Sequence, residues 1–94
     1  MREWLRRLTR DERLTIGSDI QRVQWRWPVS RPLVGTLGSG LYEVRSTHDA
    51  NEYRVFFCVH GRCMVLLHGI AKKTQKTPAR DLELARARQK ELKR

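Results

Sequence analysis

Apolar positions repeat at a helical period at both ends of the chain and at a strand period between them. In residues 2–8, Trp4, Leu5 and Leu8 fall on one helical face, with Arg2, Arg6 and Arg7 on the other. Thr9-Arg10-Asp11-Glu12 has the form of a capping box, which predicts a second helix from Arg10, with Asp11 and Glu12 well placed against its dipole. Ile16, Ile20, Val23 and Trp27 then recur as a single apolar stripe, and Trp27-Pro28 ends it. The outcome is a helical hairpin, which Gly17 weakens by about 1 kcal/mol relative to alanine. Residues 28–40 read as a connector, punctuated by Pro28, Pro32, Gly35, Gly38 and Gly40.

Three strands follow: Leu41–Ser46, Glu52–His60 and Arg62–Ile70, with turns at 47–51 and 60–62. Connections this short join antiparallel neighbours, so the three strands form a meander. Val65, Leu66, Leu67 and Ile70 are dense enough to be buried on both faces. A last helix runs from Pro78 to about Leu92, with Thr77 as N-cap and Leu82, Ala85 and Leu92 on one face. The predicted fold class is therefore α+β: an N-terminal helical hairpin packed on a small antiparallel β-sheet, closed by a C-terminal helix. Residues 1–94 read as a single domain.

Composition changes this picture in one respect. Lys and Arg number 20 against 10 Asp and Glu, a net charge of +10, with an isoelectric point near 10.8. Such a field attracts polyanions: nucleic acid, ribosome or an acidic protein. The segment from Lys72 onward holds nine basic and three acidic residues, so it supplies +6 of the +10. No apolar run reaches membrane-spanning length and no signal-peptide pattern opens the chain, so a cytoplasmic protein without membrane contact is expected. Cys58 and Cys63 fall inside strands and read as buried thiols, and no Cys/His spacing matches a zinc site.

Candidate chemistry concentrates at one end of the sheet. If the first turn centres on Asp49-Ala50, Arg45 lies opposite Arg54, Glu43 opposite Phe56 and Leu41 opposite Cys58. Two facing arginines repel, and a bound phosphate would turn the repulsion into a clamp. His68-Gly69 ends the third strand near the same place. Lys72, Lys73 and Lys76, with Thr74 and Thr77 between them, then lead into a helix N-terminus, an arrangement suited to phosphate. Each feature also has a plain structural reading. The arginines can snorkel, the lysines can form a solvated loop, and His68 can be a packed core residue. Trp4, Trp25 and Trp27 are expected to pack between helices and core rather than stack on bases. The basic last helix reads as a solvated face.

The residues Leu41-Tyr-Glu-Val-Arg45, Tyr53-Arg-Val-Phe-Phe57, Leu66-Leu-His-Gly-Ile-Ala-Lys-Lys-Thr-Gln-Lys-Thr-Pro78 and Leu82-x-x-Ala85-x-x-Arg88 resemble the HigB-like (phage Gp49-like) branch of the RelE/ParE toxins. The similarity is close over 37–90 and loose over the helical hairpin. It implies a RelE-like fold with two helices on a curved antiparallel sheet and a cleft on the other face. It departs at the front: relatives usually open with a strand, whereas Met1 here leads straight into Arg2-Glu3-Trp4, so either the start is set too late or the domain tolerates an exposed sheet edge, which would invite strand addition.

For function, the resemblance implies the toxin of a type II toxin–antitoxin pair, a metal-independent endoribonuclease (mRNA interferase) that cuts messenger RNA on the ribosome and needs no cofactor. The catalytic residues would be Arg45, Arg54, His68 and Lys73; Lys72, Lys76, Thr77 and Arg80 would bind RNA phosphates. The expected partners are messenger RNA, the ribosome and a HigA-like helix-turn-helix antitoxin with an acidic surface, in a toxin–antitoxin hetero-oligomer. Two other readings stay open: a ParE-like gyrase inhibitor, and a catalytically weakened basic module that binds RNA or antitoxin.

Overall fold

The computed structural model of the chain describes residues 2–28, 33–72 and 78–92. Its elements are α1 (Arg2–Arg7), α2 (Arg10–Arg26), β1 (Val34–Gly38), β2 (Leu41–His48), β3 (Asn51–His60), β4 (Cys63–Lys72) and α3 (Ala79–Glu91). The four strands form one antiparallel meander in the order β1-β2-β3-β4. The α+β architecture matches the sequence expectation, but the sheet has four strands rather than three. Val34–Gly38, read as connector, is an edge strand. Its glycines hid it, and one of them has a steric reason. Gly35 lies opposite Glu43 in the ladder. A Cβ there would stand 2.9 Å from Arg45 Nη2 and 3.2 Å from Glu43 Oε1.

The capping box forms as predicted. Thr9 Oγ1 accepts from the Glu12 backbone N–H at 3.1 Å, while Glu12 Oε1 accepts from the Thr9 N–H at 2.8 Å. Fixing this corner directs α2 over β2 and leaves α1 over β4. Between these helices and the sheet lies the first core, built from Ile16, Val23, Val34, Val44, Tyr53, Val55 and Phe57. Trp4, Ile20 and Trp27 pack against it, Trp27 edge-on to both Tyr42 and Phe57. Trp25 does not join them: it is 85% exposed, on the outer side of α2. Trp4 sits on Gly69 so closely that a Cβ there would be 2.4 Å from the indole ring. Polar bonds pin the same layer. Tyr53 Oη donates to Glu12 Oε2, Ser46 Oγ donates to Asp19 Oδ2 at 2.5 Å, and Thr15 Oγ1 pairs with His48 Nδ1 at 3.0 Å.

The opposite face carries a second core of Leu41, Phe56, Cys58, Leu67 and Ala85, capped by α3 through Leu82, Ala85 and Leu92 as the apolar spacing predicts. A bulge in β4 shapes this face. Phe56 pairs with His68 but Phe57 pairs with Leu66, so Leu67 is the extra residue. Leu67 enters the α3-side core and its carbonyl accepts from Arg88 Nη1 at 2.6 Å. Arg86 Nη2 reaches the Leu37 carbonyl at 2.6 Å, and Gln89 Nε2 the Ser39 carbonyl at 2.9 Å. The basic last helix is therefore not merely a solvated face, because Arg86 and Arg88 clamp it to the backbone of β1 and β4. Two smaller expectations are corrected. Pro78, not Thr77, holds the N-cap position of α3, without a side-chain cap bond. Cys63 is exposed, because it begins β4 at the hairpin tip, while Cys58 is buried as expected.

Candidate functional site

The hairpin between β2 and β3 turns at Asp49-Ala50, where Asp49 takes the left-handed conformation (φ 54°) that Asp tolerates better than most residues. This turn fixes the register, and Arg45 lies opposite Arg54 and Glu43 opposite Phe56, as the sequence predicted. Extending the pairing into β4 gives three rows across one face: Glu43–Phe56–His68, Arg45–Arg54–Ile70 and Thr47–Glu52–Lys72. With strands about 4.8 Å apart and same-face residues about 6.7 Å apart along a strand, these nine positions span roughly 10 by 13 Å.

The repulsion expected between the two arginines is answered within the protein. Glu43, whose side chain is only 4% exposed, lies beside both guanidiniums: Arg45 Nε donates to its Oε1 at 3.2 Å, and Arg54 Nε stands 3.8 Å from the same oxygen. Arg54 is itself 9% exposed and is held further by Glu52 Oε2 (3.3 Å from Nη2) and the Tyr53 carbonyl (3.2 Å from Nη1). Its Nε–H is buried with no hydrogen-bond partner. Arg45 is less enclosed, at 35% exposure, and lies over Gly35.

β1 makes its last bond to β2 where Arg45 N–H meets the Leu33 carbonyl at 2.8 Å. β2 runs on to His48, and there a cleft of about 640 Å³ opens, floored by Arg45, Thr47, Glu52 and Arg54 and walled by Asp19 and Arg22 of α2. Its described lining sets Arg22, Arg45 and Arg54 against Asp19 and Glu52, and the buried Glu43 bonds to Arg45 beside it. The net charge of the protein is therefore not concentrated in this lining.

His68 belongs to the neighbouring row and does not line the cleft. It stacks on Phe56 with rings 9° from parallel, and its Nε2 lies 2.8 Å from Asp81 Oδ1 in the first turn of α3. Because an ionised carboxylate only accepts, the proton is assigned to Nε2, which leaves Nδ1 as the basic position of the neutral ring. His68 is thus both packed and paired. Arg80 is exposed at the start of α3. Lys72 ends β4 opposite Glu52. Lys73, Lys76 and Thr77 lie outside the described residues. Sequence reasoning had Glu43 in the register but gave it no role. The signal was there: an acid alternating between Leu41 and Arg45 on the face that also carries Arg54. Asp81 was also missed, because its pairing with His68 depends on how α3 docks. Among the described residues no group of three or more His, Cys, Asp or Glu could hold a metal ion, and no helix is long and apolar enough to cross a membrane.

Residues 3–90 match the family described as Phage derived protein Gp49-like (DUF891). The chain belongs to that family. The match spans both helical ends and the whole sheet, so it includes the cleft, the His68–Asp81 pair and the lysine segment. It bears out the Gp49-like resemblance at the level of the family and is consistent with a toxin-like role. No curated protein matches the chain.

Proposed function

We propose that this Gp49-like chain is the toxin of a toxin–antitoxin pair and acts as an endoribonuclease on messenger RNA, with the ribosome orienting the substrate. The observation that carries the reading is the Arg45–Arg54 cross-strand pair, locked on Glu43 and lining the floor of a cleft of about 640 Å³. A preorganised pair of guanidiniums suits a phosphorane, whose charge develops on oxygens that each fork can meet with two donors.

The chemistry is a transfer within the RNA. A 2′-oxygen attacks the adjacent phosphorus, the bond from phosphorus to the 5′-oxygen breaks, and a 2′,3′-cyclic phosphate and a 5′-hydroxyl result. The 2′ proton must go to a base, and the leaving oxygen must receive one. Arg45 and Arg54 hold the phosphate and stabilise the transition state. Glu43 positions both. His68, with Asp81 fixing its tautomer, is the candidate proton carrier, and Lys73 remains an alternative base. Lys72, Lys76, Thr77 and Arg80 bind flanking phosphates. The basic chain has the sign to be neutralised by an acidic helix-turn-helix antitoxin, so a hetero-oligomer is the resting form.

Induction in bacteria tests this. The parent should arrest growth and leave cleaved messages, while Arg45→Ala, Arg54→Lys, which keeps the buried charge but loses the fork, and Lys73→Ala should accumulate normally and arrest less. Arrest with intact messages, DNA breaks and an SOS response would instead identify a gyrase inhibitor. Equal toxicity of the parent and all three variants would remove the site.

A further inference from the structure

In and beside the cleft stand acids that an RNA phosphate site does not need, and two of them are taken up by partners. Glu43 is buried and neutralises the two arginines. Asp19 is occupied on the other wall, by the Ser46 hydroxyl at 2.5 Å and by Arg22 at 3.9 Å. Glu52 is different. Among the described residues only its Oε2 is engaged, with Arg54 Nη2 at 3.3 Å, and the side chain is 47% exposed on the cleft floor directly across from Thr47. A carboxylate standing beside a phosphate site lowers its affinity for phosphate unless it contacts another part of the same ligand.

We infer that Glu52 reads the base of the nucleotide whose phosphate Arg45 and Arg54 hold, and that the base it accepts is guanine. This rests on the phosphate-binding reading above. A carboxylate offers adjacent acceptors and no donor. Guanine is the one standard base whose Watson–Crick edge presents two adjacent donors, N1–H and the N2 amino group. Adenine and cytosine each put a ring acceptor beside their amino group, and uracil flanks its one N–H with two carbonyls. Against all three, a carboxylate meets at least one lone pair. Thr47, across the ladder and also lining the cleft, carries a hydroxyl that can donate to guanine O6. A base splayed out of single-stranded RNA exposes this edge. The Thr47–Glu52 and Arg45–Arg54 rows are neighbours, about 6.7 Å apart along the strands, so one nucleotide can span from the arginines to Glu52.

The test is calorimetric titration of the full chain with inorganic phosphate and with the 3′-monophosphates of guanosine, adenosine, cytidine and uridine. Guanosine 3′-monophosphate should bind about tenfold more tightly than the other three, the discrimination of one bidentate pair. In Glu52→Gln, which keeps the shape and an acceptor for Arg54, the preference should collapse, while phosphate binds as before or more tightly. Equal binding of the four nucleotides to the parent, or a guanine preference that survives Glu52→Gln, overturns the base reading and leaves the phosphate site standing. If the parent binds neither phosphate nor any nucleotide, the anion cleft is wrong and the base reading falls with it.

Discussion

Replacing Glu43 by Gln tests the centre of the site with almost no change of volume. The substitution removes a charge that is 4% exposed and leaves two guanidiniums in one cross-strand pair without it. The two arginines should not contribute equally to the loss. Arg45 is 35% exposed, so solvent screens its pairing and its share is a few tenths of a kcal/mol to about 1. Arg54 is 9% exposed, and stranding a buried charge costs about 3–5 kcal/mol. Glu52 remains 3.3 Å from Arg54 but is half exposed, so it offsets part of that cost and sets the expectation at the lower end, about 3 kcal/mol. For a domain of this size each kcal/mol moves the melting temperature by about 4–8 °C, so a fall of roughly 12–24 °C is expected. Thermal unfolding followed by circular dichroism measures it. A second variant, Glu43→Gln with Arg54→Gln, separates charge from packing: it should recover part of the loss, because the stranded cation is gone. A fall below about 4 °C for Glu43→Gln would refute the argument that this carboxylate holds the pair together.

Two further outcomes follow from the helix-side layer. Gly69→Ala should cost about 1–3 kcal/mol in urea unfolding, because the new Cβ would sit 2.4 Å from the rigid Trp4 ring and α1 must move; Gly69→Ala combined with Trp4→Leu should be less destabilised than Gly69→Ala alone. The hydrogen bond to Glu12 raises the Tyr53 hydroxyl from its usual 10 to about 12, and burial adds to the shift, so its contribution is intact below pH 10 and is lost as pH rises toward 12. Unfolding measured at pH 9 and pH 11.5 should show a larger loss in the parent than in Tyr53→Phe, and equal losses would remove Tyr53 as the cause.

The local signals in the chain were enough to establish much of this protein. The Thr9–Glu12 capping box is a contact between residues three apart, so its geometry is written in four letters. The Asp49-Ala50 turn likewise fixed the β2–β3 register, and with it the meeting of Arg45 and Arg54, because side chains alternate along a strand with a period of two. Other features required the tertiary fold. β1 escaped notice because Gly35 and Gly38 read as breakers, and only the folded sheet shows that Gly35 must lack a side chain to seat Arg45 and Glu43. The carbonyl of the bulged Leu67 is met by Arg88, 21 residues away in sequence, and the Asp81 partner of His68 depends on the docking of α3. Charge was the most misleading guide. Counting it along the chain gives +10, but only the structure shows that Arg86 and Arg88 are spent on backbone carbonyls and that the three arginines of the cleft lining meet Asp19 and Glu52 in the lining and the buried Glu43 beside it. Net charge is a sum over the sequence, whereas the field at a site depends on which opposite charges the fold brings within a few ångströms, where the Coulomb interaction is strong and least screened.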